Sequence, residues 1–242
     1  RNYLEHRNLE VSKGMEGSFV NQPISESAAY WWDRANFPVK AARIDESTLE
    51  VMYGYEHVER YSGIWIAGGS FVGQGSLIED CTQIGPGSII LSAQVDSTVS
   101  IGDGCFVGED CRLKGKLSLG THCYVGSRCF LSGGQYGQAV FLGDSVVSGP
   151  GAQIEDFVTV GENSSLAGQI KIGKGCVIGK DVALENGELA EEVTVGAHCT
   201  GGGEFYVPAL ERIDAGCEIE GVPDSHNSSG RSFRLMDWEY VV

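Results

Sequence analysis

Positive charge is scarce in this sequence. Seventeen Lys and Arg stand against 33 Asp and Glu, for a net charge of −16. Nucleic-acid backbones are bound through Lys and Arg, so no nucleic acid is expected as a partner. The same balance disfavours an anionic membrane surface. No run of about 18 apolar residues is present to span a bilayer. No signal-peptide pattern opens the chain. It begins at Arg1 without an initiator Met, which leaves an upstream domain open. Acidity of this kind reads first as a solvated surface that keeps the protein soluble.

Familiar catalytic signatures are also missing. There is no Gly-x-Ser-x-Gly nucleophile elbow. The glycines at Gly68, Gly69 and Gly75 lack the Lys of a phosphate-binding loop and the strand–turn–helix setting it needs. No Cys-x-x-Cys occurs and no His lies at zinc-finger spacing, so no metal is expected. Histidine itself is sparse: His6, His57, His122, His198 and His226.

What the chain has in quantity is glycine, 35 residues, and a six-residue period. An aliphatic row runs Ile66, Val72, Ile78, Ile84, Ile90, drops one residue, and resumes from Val95 through Val107, Leu113, Leu119 and Val125 to Leu131. It returns at Leu142 and continues to Leu184, then Leu189 and Val195. Two residues before each aliphatic stands a small or β-branched residue, such as Ser70, Thr82, Cys105, Cys123, Val158 or Cys176. One residue after it, Gly is common, as at Gly73, Gly102, Gly126 and Gly179. Helices repeat at 3.6 and strands at 2, so a period of six suits short strands joined by corners. Gly is expected there because it accepts positive φ. Every third corner avoids Gly, as at Glu79, Asp96, Lys114, Ser132, Ala167 and Glu185, with Gly149 the exception. Eighteen residues therefore make one coil with three flat walls. The architecture is all-β: about seven triangular coils, roughly 34 Å long at the usual strand spacing.

Three segments follow from where the repeat holds. Residues 64–203 form the coil. Residues 1–63 are rich in aromatics, including Tyr30, Trp31, Trp32, Tyr53, Tyr55 and Tyr61, and are expected to cap the open first coil; a pocket wall or partner surface is the other reading. Within them, residues 25–36 read as a short helix with Ala28, Ala29, Trp31, Trp32 and Ala35 on its apolar side. Residues 204–242 are expected to fold back as a C-terminal cap or an intersubunit contact.

Cys105 and Cys123 are eighteen apart, as are Cys111 and Cys129, and all four lie in the small inward column. Stacked buried thiols are expected rather than disulfides, which points to a reducing, cytoplasmic compartment. The sequons at Asn163 and Asn227 are then expected by chance.

The interval between Leu131 and Leu142 breaks the row. It reads Ser-Gly-Gly-Gln-Tyr-Gly-Gln-Ala-Val-Phe, with glycines around Tyr136. Either a loop leaves the wall here, or a corner is shortened. Loops on rigid scaffolds often carry function.

This pattern resembles the left-handed parallel β-helix of the hexapeptide-repeat superfamily, the LpxA-like proteins, over residues 64–203. The handedness is given by the resemblance alone, since parallel crossovers are ordinarily right-handed. The resemblance implies a homotrimer. It also implies acyl transfer from acyl-CoA or acyl carrier protein to a hydroxyl or amine, on a small, sugar-like acceptor. A His acts as general base in a groove between subunits, because a neutral hydroxyl or protonated amine is a poor nucleophile. His122 and His198 are the candidate bases. Both occupy the third position after an aliphatic, an outward corner open to substrate, and His57 is a weaker third. Gly133, Gly134 and Tyr136 are candidate contacts for the acyl carrier. The superfamily's zinc carbonic anhydrases need a close pair of His, whereas His122 and His198 are 76 residues apart. A non-catalytic scaffold, assembly subunit or partner-binding module remains the alternative. An ordinary surface His would serve it equally well.

Overall fold

A computed structural model describes the backbone of residues 41–43, 48–51, 63–223 and 231–237, and the side chains of residues 63–221. The described part is all strand and turn. It contains no helix long and apolar enough to cross a membrane.

The chain winds as a parallel β-solenoid with three walls. The first wall stacks nine short parallel strands, from Trp65–Ile66 to Phe205–Val207. The second runs from Phe71–Val72 to Arg212–Ile213, and the third from Ser76–Glu79 to Cys217–Pro223. The coil thus has nine rungs rather than about seven. At roughly 4.8 Å per rung it is about 38 Å long. Rungs continue past Gly203: Gly201 interrupts the aliphatic row, but Val207, Ile213 and Ile219 keep its sixfold spacing and, with Phe205, point inward.

The aliphatic row lies inside. Val107 and Val125 face each other on neighbouring rungs and are fully buried. Most rungs advance by eighteen residues, as from Ile66 to Ile84. Where the row drops a residue the rung is one shorter, as from Ile84 to Ile101 and from Ile172 to Leu189. Two strands, Ile89–Val95 and Phe106–Leu113, run straight through the edge between the second and third walls. Antiparallel strands close the third wall at both ends. Thr48–Val51 pairs with the first rung, and Arg231–Asp237 with the last.

The small inward column is a hydrogen-bonding column. Ser70 Oγ donates to the carbonyl of Gly85, and Ser88 Oγ to that of Gly102, both at 2.8 Å. Thiols substitute directly: Cys111 Sγ donates to Gly126 at 2.9 Å and Cys105 Sγ to Gly120 at 3.0 Å. Where the column carries Ser, Thr or Cys, the side chain fastens a corner carbonyl of the next rung; at Val99, Ala152 and Val158 it only fills space. Among the described residues no buried side-chain N or O atom lacks a partner.

Glycine after the aliphatic has a different cause from the one the sequence suggested. Those glycines do not have positive φ. A Cβ on Gly126 would lie 2.5 Å from Asp144 Oδ1 and 2.7 Å from its backbone nitrogen, so the approach of the next rung excludes it. Positive φ falls two residues later, mostly on non-glycine residues such as Asp110, Arg128, Asn163 and Asp181.

Candidate functional site

The interval around Tyr136 is a shortened corner; no loop leaves the wall. Gly134 and Tyr136 sit in register with Leu117 and Leu119 on the rung before. Tyr136 takes the inward aliphatic position and is only 4% exposed. Its hydroxyl hydrogen-bonds Ser148 Oγ inside the coil and lies 3.5 Å from the Gly133 carbonyl. Burial pushes its phenol pKa up, against the Ser148 hydrogen bond, which lowers it. Gly133 is buried as well. An aromatic ring fits here because Ser148, opposite, is a small residue at a position of the aliphatic row.

His122 and His198 are placed on different edges, four rungs apart, or about 19 Å along the axis. Each occupies an αL corner, with φ of 58° and 59°. That conformation favours Asn, Asp and His among non-glycine residues, so the backbone alone accounts for a His at either site. The backbone N–H of His122 bonds Asp103 O, and its ring lies against Gly104 on the rung before. Its column neighbours, Gly104 and Ala139, carry no acid.

His198 has acidic company. Its edge column runs Asp110, Arg128, Ser145, Asn163, Asp181, His198. From Arg128 onward each is tied by its N–H to the corner of the rung before. His198 Nδ1 lies 3.6 Å from Asp181 Oδ2. The other oxygen of Asp181 accepts a hydrogen bond from Asn163 Nδ2 at 3.2 Å. Asn163 thereby helps fix the carboxylate that faces the imidazole. A carboxylate beside Nδ1 favours the tautomer with its proton there, which leaves the Nε2 lone pair directed away as a base. The His198 side chain is 63% exposed and open to a ligand from solvent. The sequence pattern singles out His198 but not Asp181 or Asn163. Their signal was available, because residues 163, 181 and 198 are spaced by one rung each. His6, His57 and His226 lie outside the described residues.

A polar groove of about 390 Å³ lies elsewhere, on the outer surface of the first wall. Gln135, Gln153, Lys171 and Glu188 form its floor in register, with Glu155 and Glu191 beside them. Neither His122, His198 nor Tyr136 lines it. Among the described residues no cluster of His, Cys, Asp and Glu could hold a metal ion.

The paired thiols take the expected places. Cys81 is exposed and the other seven cysteines are buried. The Cys105 and Cys123 thiols lie beside each other on neighbouring rungs, which raises the first and lowers the second, and burial opposes ionisation in both. Cys129 and Cys111 repeat the arrangement.

No protein-family model matches the chain. No curated protein sequence matches it either. Solved structures do resemble it weakly. LpxA from Acinetobacter baumannii is 15% identical at a TM-score of 0.40, over 69% of this chain and 71% of that one. A putative acetyltransferase from Bacillus cereus is 19% identical at a TM-score of 0.28, over 60% and 73%. PerB from Caulobacter crescentus, in complex with CoA and GDP-perosamine, is 16% identical at a TM-score of 0.26, over 69% and 56%.

Proposed function

We propose that this solenoid is an acyltransferase with His198 as general base, oriented by Asp181. The carrying observation is the approach of Asp181 Oδ2 to His198 Nδ1 at 3.6 Å, on an exposed edge. His122 has no equivalent partner and is the second choice. The acyl donor is acyl-CoA or acyl carrier protein, and the acceptor is a sugar-like hydroxyl or amine, as the repeat's resemblance to the hexapeptide superfamily implies. Nε2 takes the proton from the acceptor as its oxygen or nitrogen attacks the thioester carbonyl. The carbon–sulfur bond then breaks, and the proton passes to the departing thiolate. The assembly is a homotrimer in the cytoplasm, in which a neighbouring copy supplies the other side of the groove at this edge.

The test is thiol release from acetyl-CoA and longer acyl-CoAs across a panel of amino-sugars. His198→Gln should lower the rate by roughly 10²–10⁴, the usual worth of a general base. Asp181→Asn should lower it less, by disturbing the tautomer. Both residues lie at the surface, so the melting temperature should hold. Absence of thiol release with every member of the panel, together with no CoA-dependent rise in melting temperature, would sink the proposal.

The second reading is a non-catalytic scaffold. It is favoured by one observation: the αL corner by itself suits His at both positions. Under this reading His198→Gln changes nothing but the surface.

A further inference from the structure

The outward column of the first wall carries no charge over five successive rungs. Gln83, Ser100, Ser118, Gln135 and Gln153 stand there in register, each about 4.8 Å from the next. On a chain of net charge −16 this is a local exception. The matching positions on the second wall are Phe71, Ile89, Phe106, Tyr124 and Phe141. They form an apolar stripe, in which Tyr124 stacks on Phe106 at 4.9 Å and on Phe141 at 4.7 Å between ring centroids. The column of amides and hydroxyls is therefore a property of one wall and not of the repeat.

An aromatic residue stands at each end of that column. Trp65 precedes Gln83 in register and is 50% exposed. Beyond Gln153 the column continues through Lys171 and Glu188 to Tyr206. From Gln83 to Glu188 none of its side chains is hydrogen-bonded or ion-paired to another described residue. Free amides and hydroxyls offer both donors and acceptors.

The polar groove of about 390 Å³ occupies the rungs from Gln135 to Glu188. Its volume lies within the range of small-ligand sites, and its four rungs span about 14 Å. The charges in it select among ligands. Glu155, Glu188 and Glu191 oppose a polyanion, and Lys171 in the floor opposes a polycation. An apolar chain would cover the polar floor without pairing it. Neutral hydroxyls meet none of these objections. Each donates and accepts, so it can serve a carboxylate, an ammonium or an amide alike.

We propose that the first wall binds a neutral, extended polysaccharide, a β-1,4-linked hexose chain lying along the coil axis from Trp65 to the groove. The rise of one rung is close to the advance of one hexose in such a ribbon, so successive units meet successive rungs. A flat wall suits that ribbon better than the helical chains that α-1,4 linkage gives. The C–H face of a pyranose ring stacks on an exposed indole, which gives Trp65 its place at the end of the column. In the groove Gln135 and Gln153 exchange hydrogen bonds with the hydroxyls, Lys171 donates and Glu188 accepts. His198 lies between the second and third walls and shares no residue with the groove. The site is separate from the acyl-transfer chemistry.

The test is isothermal titration of the full chain with cellohexaose, a neutral β-1,4 glucose hexamer, and with its trimer. Affinity should rise by about tenfold or more from trimer to hexamer, because only the longer chain reaches past the groove to Gln83 and Trp65. Gln135→Ala with Gln153→Ala should weaken both oligomers by about tenfold. Gln83→Ala should weaken the hexamer and leave the trimer unchanged. All three side chains are exposed, so the melting temperature should hold. His198→Gln should leave sugar binding as it was, and the groove substitutions should leave thiol release as it was, so the two sites stand or fall separately. No heat with the hexamer, a hexamer no tighter than the trimer, or affinity that ignores the groove substitutions would overturn the proposal. Tighter binding of a glucosamine hexamer or a galacturonate hexamer would overturn it in favour of a charged ligand.

Discussion

Asp96 shows how a corner residue acquires a pH dependence. Its carboxyl is pushed above the ordinary value of 3.8, first by burial and then by Glu79, while Lys114 pulls the other way. An acid whose pKa is higher in the folded state favours folding while protonated and opposes it once ionised. Its cost therefore enters as pH rises from 3.8 through the raised folded value. Asp96→Asn should melt above the parent near neutral pH, and the gap should close below pH 3.8. Equal melting temperatures at both pH values would refute this. Gly134 is a second residue whose environment sets its identity. Its φ is +105°, and a Cβ there would lie 2.5 Å from the Ala152 carbonyl oxygen. Gly134→Ala should destabilise by more than about 1 kcal/mol, measured by urea unfolding. Of the candidate site residues, His198 was legible because its type and corner position stand in the sequence. Asp181 was less so, because it gains meaning only from the rung beneath.

Each element of this fold is too short to be stable alone. Most strands have two or three residues, and a two-residue strand presents one side chain inward and one outward. The inward positions were readable because a sixfold row of Ile, Val and Leu matches neither the helical period nor that of a plain strand. The role of the small column was read incompletely: it supplies the donors that fasten corner carbonyls on the next rung, as well as filling space. This has a consequence for thiol chemistry. A reagent such as Ellman's should count one reactive thiol, Cys81, in the native protein, and the other seven only after unfolding. Several native thiols reacting at the rate of Cys81 would show that the column is not buried. Tyr136 escaped the aliphatic row for a related reason. It stands six residues before Leu142, and Ser148 six after, but neither is aliphatic, and that the ring and the small residue compensate shows only across the interior.

For the whole molecule, stability is close to a sum over rungs, because each rung packs only on its neighbours. Charge acts at longer range. A net charge of −16 on a narrow prism repels itself, and added salt screens that repulsion. The melting temperature should rise as sodium chloride is increased from about 0.01 M to about 1 M, while the Debye length falls from roughly 30 Å to 3 Å. A flat or falling trend would mean that the acidic side chains are locally compensated.

Period and side-chain size determined the coil by themselves. Inward bulk every sixth residue, with a small residue two positions earlier, leaves three short strands per turn as the way to bury both. The tertiary structure decided which residues from different rungs meet. It set Asp181 beside His198, turned Tyr136 inward, and lined five outward residues of the second wall into one stripe. Those contacts depend on rung length, which varies between seventeen and eighteen residues. One dropped residue shifts every later column, and only the completed hydrogen-bond register shows where that shift is absorbed.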